Sequence, residues 1–112
     1  ELAKTVIVKV DGDYAMAVLP ASRRVDLDHL KSALGADEVV LASEDEFKRL
    51  FPDCELGAMP PFGNLYDMGV FVAEQLTEDD EIAFNAGSHT ELVRMAYRDY
   101  AKLVTPQVVS LT

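Results

Sequence analysis

The sequence has little cysteine and no long apolar run. It has one cysteine, Cys54, which excludes an internal disulfide and a paired-cysteine metal site. No apolar run approaches the roughly 20 residues needed to cross a bilayer. The first residues also lack the basic and then apolar order of a signal peptide. We therefore expect a soluble protein with no membrane partner, located in the reducing cytoplasm.

Basic residues are also scarce. The chain has 10 lysine and arginine residues against 20 aspartate and glutamate residues, which gives a formal net charge of −10. Proteins that hold nucleic acid through many phosphate contacts need clustered cations. The composition therefore argues against this mode of nucleic-acid binding.

Sequence signatures of bound cofactors are missing as well. The two histidines, His29 and His89, are 60 residues apart, and neither belongs to an HExxH or cysteine-rich motif. The sequence has no Walker loop and no GxGxxG motif that would bind a nucleotide phosphate. We expect neither a metal ion nor another cofactor.

The sequence does contain enough apolar residues for one hydrophobic core. Apolar side chains make up 49% of the 112 residues, so we predict one domain over residues 1–112. A strand-like run begins at Lys4, almost at the first residue. We therefore expect that a further N-terminal segment precedes this chain in the parent protein.

Local patterns predict a mixture of strands and helices. Residues 4–10 and 14–19 are strand-like and flank the turn residues 11–13, which predicts a hairpin. The apolar spacing that follows predicts a helix capped by Asp26 and ended by Gly35. The other predicted elements are a strand at 38–42, a helix after the capping box of Ser43 and Glu46, strands at 70–72, 81–85, 90–95 and 107–111, an acidic turn at 77–80, and a helix at 97–104. Together they predict an α/β (α+β) domain with a mixed, curled β-sheet and helices packed outside it.

Two of the candidate site features are a lysine and an apolar loop. Lys4 is either a solvated residue at a strand end or a cation that orients a substrate group or stabilises developing negative charge. The uncharged residues 56–66 are rich in glycine and proline, whereas loops are normally polar. Gly57 and Pro61 either shape a turn only or stiffen a loop whose backbone N–H groups point at a ligand carbonyl.

A third candidate is the polar stretch at residues 85–90, which follows an apolar strand. It either caps the strand or forms a pocket wall that carries hydrogen-bonding side chains. Ser88 and His89 are adjacent, and adjacent residues on a strand point to opposite faces. We therefore do not expect them to act as a nucleophile and its base.

Taken in order, three stretches resemble the YbaK/EbsC family, which includes the insertion domain of bacterial prolyl-tRNA synthetases and free-standing editing proteins. Lys4 and Thr5 resemble the Lys-Thr strand of this family with its functional lysine. Gly57 and Pro61 match its GxxxP loop, and residues 84–87 resemble the strand and glycine turn on the other side of the pocket. The resemblance spans nearly the whole chain.

The resemblance implies a YbaK-like fold and an aminoacyl-tRNA deacylase, which hydrolyses the ester between a mischarged amino acid and the 3′-terminal ribose of tRNA. Lys4 is implied to bind the terminal adenosine or the aminoacyl group, and the N–H groups around Gly57 and Ala58 to hold the ester carbonyl. Water, or a substrate group, would attack without a metal or a covalent intermediate. The expected substrate-binding residues are Met59, Pro61, Phe62, Asn85, Gly87, Ser88 and His89.

The implied substrate is compatible with the acidic composition. An editing domain that grips only the single-stranded acceptor end of tRNA needs few phosphate contacts. We expect weak binding of tRNA, with delivery by an aminoacyl-tRNA synthetase or another factor. Relatives remove alanine or cysteine from the tRNA for proline, and Met59 or Phe62 is expected to narrow the pocket here.

Two other functions remain open from the sequence. A noncatalytic binding module of the same fold would recognise a small molecule, a protein or a tRNA 3′ end without turnover, and deacylation assays on Lys4→Ala distinguish it from an enzyme. A purely structural acidic partner domain would have no well-formed pocket near Lys4 and Gly57.

Overall fold

The computed structural model describes residues 2–55 and 57–112. In chain order its elements are β1 (Ala3–Val10), β2 (Asp13–Pro20), α1 (Leu27–Leu34), β3 (Val39–Leu41), α2 (Glu44–Leu50), a 3-10 turn (Gly63–Leu65), β4 (Gly69–Ala73), α3 (Glu74–Thr77), β5 (Glu81–Asn85), β6 (Leu92–Ala96), α4 (Tyr97–Val104) and β7 (Gln107–Val109).

The strands form a mixed five-stranded sheet and a separate two-stranded ladder. The large sheet has the order β3-β1-β2-β4-β7, and β5 pairs with β6. The β1–β2 and β1–β3 pairs are antiparallel, whereas β2–β4 and β4–β7 are parallel. The predicted mixed sheet is confirmed, although its strands divide into two sheets, between which Leu2 and Ala83 form an isolated bridge.

The core lies on both faces of the large sheet. Along β2, Met16 and Val18 belong to one apolar cluster, and Ala17 and Leu19 belong to the other. This alternation follows from the two-residue period of a strand, which sends successive side chains to opposite faces. Leu30 of α1 packs into the second cluster, and the first contains residues of α2, α3, α4 and β5. The prediction that helices pack outside the sheet is confirmed.

The predicted helix ends are confirmed in detail. The side chain of Asp26 accepts a hydrogen bond from the N–H of His29, and Gly35 ends α1 in the left-handed conformation. Ser43 and Glu46 form both hydrogen bonds of a capping box at the start of α2. These signals are local in sequence, so they do not depend on the rest of the fold.

Two local predictions were incomplete or wrong. The structure inserts a helical turn, α3, between β4 and the acidic residues 78–80, where only a turn was predicted. Ser88 and His89 lie in the turn between β5 and β6 and not on a strand, so the argument from opposite strand faces does not apply to them. Within the described residues, no helix has the length and apolar character that a membrane span requires.

Candidate functional site

A cavity of about 290 Å³ lies between the edge of β1, the first turn of α2 and the loop that begins at Gly57. Its walls are mainly apolar. The residues that line it are Thr5, Val6, Ile7, Leu41, Ala42, Ser43, Glu44, Phe47, Gly57 and Met59. A volume of this size is at the small end of the range of ligand pockets, which begins at about 300 Å³.

The cavity borders a stretch of β1 that lies between two pairing partners. The N–H of Ala42 donates to the carbonyl of Ile7 at 3.0 Å, at the end of the β1–β3 pairing. At the other end of β1, Leu2 bridges Ala83 of β5. Thr5 lies between these contacts, and it is only 6% exposed although its side chain is polar. The sheet therefore leaves room for a ligand beside Thr5.

The first turn of α2 is fixed to the sheet by the carboxylate of Glu46. One oxygen accepts from the hydroxyl of Tyr14 on β2 and lies 2.9 Å from the Nζ of Lys9 on β1. The other accepts from the N–H of Ser43 at 2.9 Å. The Tyr14 hydroxyl, the Ser43 N–H and the Lys9 ammonium group lower the pKa of Glu46 to about 2. This cluster holds Ser43 and Phe47 at the cavity wall.

The loop that carries Gly57 is tied to the turn between β5 and β6. The N–H of Gly87 donates to the carbonyl of Ala58 at 2.8 Å. The carbonyl of Gly87 accepts from the N–H of Glu55, also at 2.8 Å. The N–H of Ala58 donates to the carbonyl of Glu55 at 3.0 Å, which closes a turn. Gly57 has φ +80 in this turn, a conformation that glycine adopts without steric cost.

The same loop is anchored in the core at its proline end. The hydroxyl of Tyr100, which is fully buried, donates to the carbonyl of Pro61 at 2.6 Å. The ring of Phe62 makes edge contacts with Phe84 at 5.4 Å and with Tyr100 at 5.6 Å, measured between ring centroids. Burial raises the pKa of Tyr100, so its hydroxyl stays a donor at every physiological pH. The loop is therefore held at both ends.

A model of the aminoacyl-tRNA editing domain matches residues 1–103 of the chain. The chain belongs to the aminoacyl-tRNA editing domain family. The activity of this editing domain is that of an aminoacyl-tRNA deacylase, a hydrolase of the ester bond that joins an amino acid to tRNA.

The chain is also similar in sequence to individual proteins that act on tRNA. The chain is 35% identical over 114 residues to the multifunctional Ser/Thr-tRNA deacylase ProXp-y of Escherichia coli K12, in a match that covers 96% of this chain and 67% of that protein. It is also 40% identical over 50 residues to the proline–tRNA ligase of Staphylococcus aureus strain Newman, which covers 45% of this chain and 9% of the ligase.

A solved structure shows the same fold. The editing domain superposes with a TM-score of 0.87 on a protein described as a candidate trans-editing enzyme for prolyl-tRNA synthetase. The two are 20% identical, and the match covers 99% of this chain and 69% of the other. The predicted YbaK-like fold is confirmed.

Of the residues singled out from the sequence, Gly57 and Met59 line the cavity of the editing domain. Lys4 immediately precedes Thr5 on β1 and is half-buried, one residue before the cavity wall begins. Ala58 is buried behind that wall, and its N–H already donates to Glu55. Their roles in catalysis stay predictions.

The remaining predicted residues lie behind or beside the loop. Pro61 and Phe62 contact Tyr100 in the core, whereas Asn85 pairs with Leu92 at the end of β5. Gly87 makes the hydrogen bonds to Ala58 and Glu55 that tie this turn to the loop. The hydroxyl of Ser88 lies 3.1 Å from the hydroxyl of Thr90. His89 is exposed in the same turn. The structure therefore brings the loop and this turn together, as the sequence motifs imply.

Several cavity residues of the editing domain were missed in the sequence. Phe47 and Ser43 were recognised only as parts of a capped helix, and Glu44 and Ala42 were not singled out. Nothing in their local pattern indicates that the start of α2 faces β1 across a cavity, because that contact depends on tertiary packing. Over the part of the chain that the structure describes, no group of three or more His, Cys, Asp or Glu side chains is arranged to hold a metal ion.

Proposed function

We propose that this editing domain hydrolyses the ester between a small amino acid and the 3′-terminal ribose of tRNA, with the amino acid held in the cavity beside Thr5. The observation that carries the proposal is the cavity itself, which is lined by Gly57 of one family motif and by Thr5, the residue that follows Lys4 of another. A well-formed cavity at this place counts against a purely structural partner domain.

The size and polarity of the cavity support a small substrate side chain. Phe47 and Met59 are buried and close the apolar part of the wall, and the volume of about 290 Å³ leaves room for a compact group. Thr5 and Ser43, which both carry a hydroxyl group, also belong to the lining. Serine and threonine carry a short side chain with one hydroxyl group, and both are named as substrates of the ProXp-y relative. We therefore propose seryl and threonyl esters as the first substrates to test.

The proposed reaction needs only water and polar groups of the chain. The oxygen of a water molecule attacks the ester carbonyl carbon, and the tetrahedral intermediate releases the ribose oxygen, which takes a proton. The products are free amino acid and uncharged tRNA. Among the described residues, no acceptor takes the N–H of Gly57, which supports our proposal that this group donates to the carbonyl oxygen. Lys4 supplies positive charge beside the same region.

The proposed partners follow from the charge of the whole chain. With a net charge of −10, the domain is expected to contact only the single-stranded acceptor end of tRNA and few phosphates. We propose that an aminoacyl-tRNA synthetase or another factor delivers the substrate, in the cytoplasm where aminoacyl-tRNA is used.

The test is a deacylation panel with the intact protein and seryl-, threonyl-, alanyl-, cysteinyl- and prolyl-tRNA. We expect the seryl and threonyl esters to be hydrolysed fastest. In Lys4→Ala, kcat/KM should fall by about 100-fold, the effect of removing one group that stabilises developing charge. Lys31→Ala, an exposed lysine on α1, is the matched control and should leave the rate unchanged.

Two results would contradict the proposal in different ways. If the intact protein hydrolyses none of these esters, a noncatalytic binding module becomes the better description. If hydrolysis occurs but Lys4→Ala leaves it unchanged for every substrate, the role of the lysine is wrong.

A further inference from the structure

One residue with a charged side chain belongs to the otherwise uncharged lining of the cavity. Among the described residues that line it, Glu44 is the only one with a charged group. Glu44 is the first residue of α2, directly after the capping residue Ser43. Its side chain is 63% exposed, so this cavity residue carries a carboxylate that is open to solvent.

The carboxylate of Glu44 is only weakly engaged by the protein. One of its oxygens lies 3.6 Å from the Nζ of Lys48, one helical turn later, and both side chains are mostly exposed. Exposed ion pairs of this kind contribute little to stability, because solvent screens both charges. By contrast, the neighbouring acid Glu46 is occupied by Tyr14, Lys9 and Ser43. Glu44 is therefore the carboxylate that remains available to a ligand.

The proposed substrate carries a charge that matches this position. An aminoacyl ester has an ammonium group on the carbon next to the ester carbonyl. Placing this cation against apolar walls such as Phe47 and Met59 without a counter-charge is unfavourable. A carboxylate beside the cavity compensates for the hydration that the ammonium group loses. It also fixes the orientation of the amino acid in the cavity.

We propose that Glu44 binds the α-ammonium group of the aminoacyl ester and so selects substrates with a free amino group. The proposal rests on the proposed deacylase function and assigns a specificity residue to the same cavity. It predicts that esters without this cation, including those of N-blocked amino acids, are poorer substrates.

The experiment compares two esters of the same size. One is seryl-tRNA, and the other is its α-hydroxy analogue, in which a hydroxyl group replaces the ammonium group. The steady-state kcat and KM of both are measured for the wild type, Glu44→Gln and the control Asp45→Asn, which makes the same charge change at the next, exposed residue. The capping box of Ser43 and Glu46 is intact in both variants.

In Glu44→Gln, we expect KM for seryl-tRNA to rise by about fivefold, the upper effect of an exposed charge pair. Its kcat and its KM for the α-hydroxy analogue should stay as in the wild type. Asp45→Asn should leave kcat and KM unchanged for both esters. The difference between substrates is decisive, because a general loss of structure would affect both esters alike.

Two results overturn the inference while the deacylase function stands. They are an equal change in KM for both esters in Glu44→Gln, or no change for seryl-tRNA. If the wild type hydrolyses neither ester, the proposed function itself fails.

Discussion

At the scale of single residues, Tyr100 shows how the core controls the loop at the cavity. Its hydroxyl reaches the carbonyl of Pro61 from inside the fold, while its ring supports Phe62. A buried carbonyl that loses its only strong donor cannot recover the bond from water. The position of the Gly57 loop therefore depends on a side chain 39 residues away from Pro61 in sequence.

Tyr100→Phe tests this dependence. The change keeps the ring and removes the hydroxyl, which leaves the Pro61 carbonyl without its donor. We expect the free energy of unfolding to fall by about 1–3 kcal/mol in urea titrations.

Tyr97→Phe is the matched control for this experiment, because Tyr97 is on the same helix and only half-buried. The free energy of unfolding should fall clearly less in Tyr97→Phe than in Tyr100→Phe. Equal stability of Tyr100→Phe and the wild type would show that the hydroxyl does not hold the loop.

At the scale of secondary-structure elements, α2 connects the sheet to the cavity through Glu46. The pKa of this carboxyl group is about 2 in the folded protein, below its ordinary value of 4.5, so the fold favours the ionised form. A lowered pKa means that this stabilisation is fully present above about pH 5 and is lost as the pH falls towards 2.

Glu46→Gln should remove this pH-dependent stabilisation. We expect the variant to be less stable than the wild type at pH 7, and the difference between them to shrink as the pH falls from about 5 to about 2. Urea unfolding across this range measures the difference directly.

Asp45→Asn is the control variant, because it removes an exposed carboxylate from the same helix. A constant difference between Glu46→Gln and the wild type at all pH values would contradict the proposed cluster of Tyr14, Lys9 and Ser43 around Glu46.

The elements themselves were largely predictable from the sequence, because their signals are local. Turn residues between two β-branched runs gave the β1–β2 hairpin, and the capping residues Asp26 and Ser43 marked the starts of α1 and α2. The short helix α3 was missed, since its four residues carry no side-chain cap and precede an acidic turn.

The site was only partly predictable. Gly57 and Met59, which line the cavity, were singled out from the motif and its loop, whereas the roles of Lys4 and Pro61 stay predictions. Glu44 and Ala42 were not found, because their approach to β1 is set by packing between elements that are distant in sequence. The division of the strands into two sheets has the same cause, since no local pattern indicates which strands will pair.

At the scale of the whole molecule, the charge balance sets how tRNA is bound. A protein with 6–10 phosphate contacts loses about 10³–10⁵-fold in affinity when salt rises from 50 to 200 mM. With a net charge of −10, this domain is expected to make only one or two such contacts.

We therefore expect KM for aminoacyl-tRNA to rise by less than about tenfold over this range of salt concentration. The measurement is steady-state deacylation at several salt concentrations, with spontaneous ester hydrolysis subtracted. A rise of 1,000-fold would require a phosphate-binding surface that this account does not include.

The most direct test of the central claim is to fill the cavity and measure the hydrolysis of seryl-tRNA in single turnovers. Ala42 lines the cavity, and Ala42→Leu keeps its backbone hydrogen bond to Ile7. Val40→Leu, at an exposed position on β3 outside the cavity wall, is the control, and urea unfolding confirms that both variants fold. We predict that Ala42→Leu lowers the rate by about 10–100-fold through displacement of the ester, whereas Val40→Leu does not. A folded Ala42→Leu variant that hydrolyses seryl-tRNA at the wild-type rate would contradict the assignment of this cavity as the editing site.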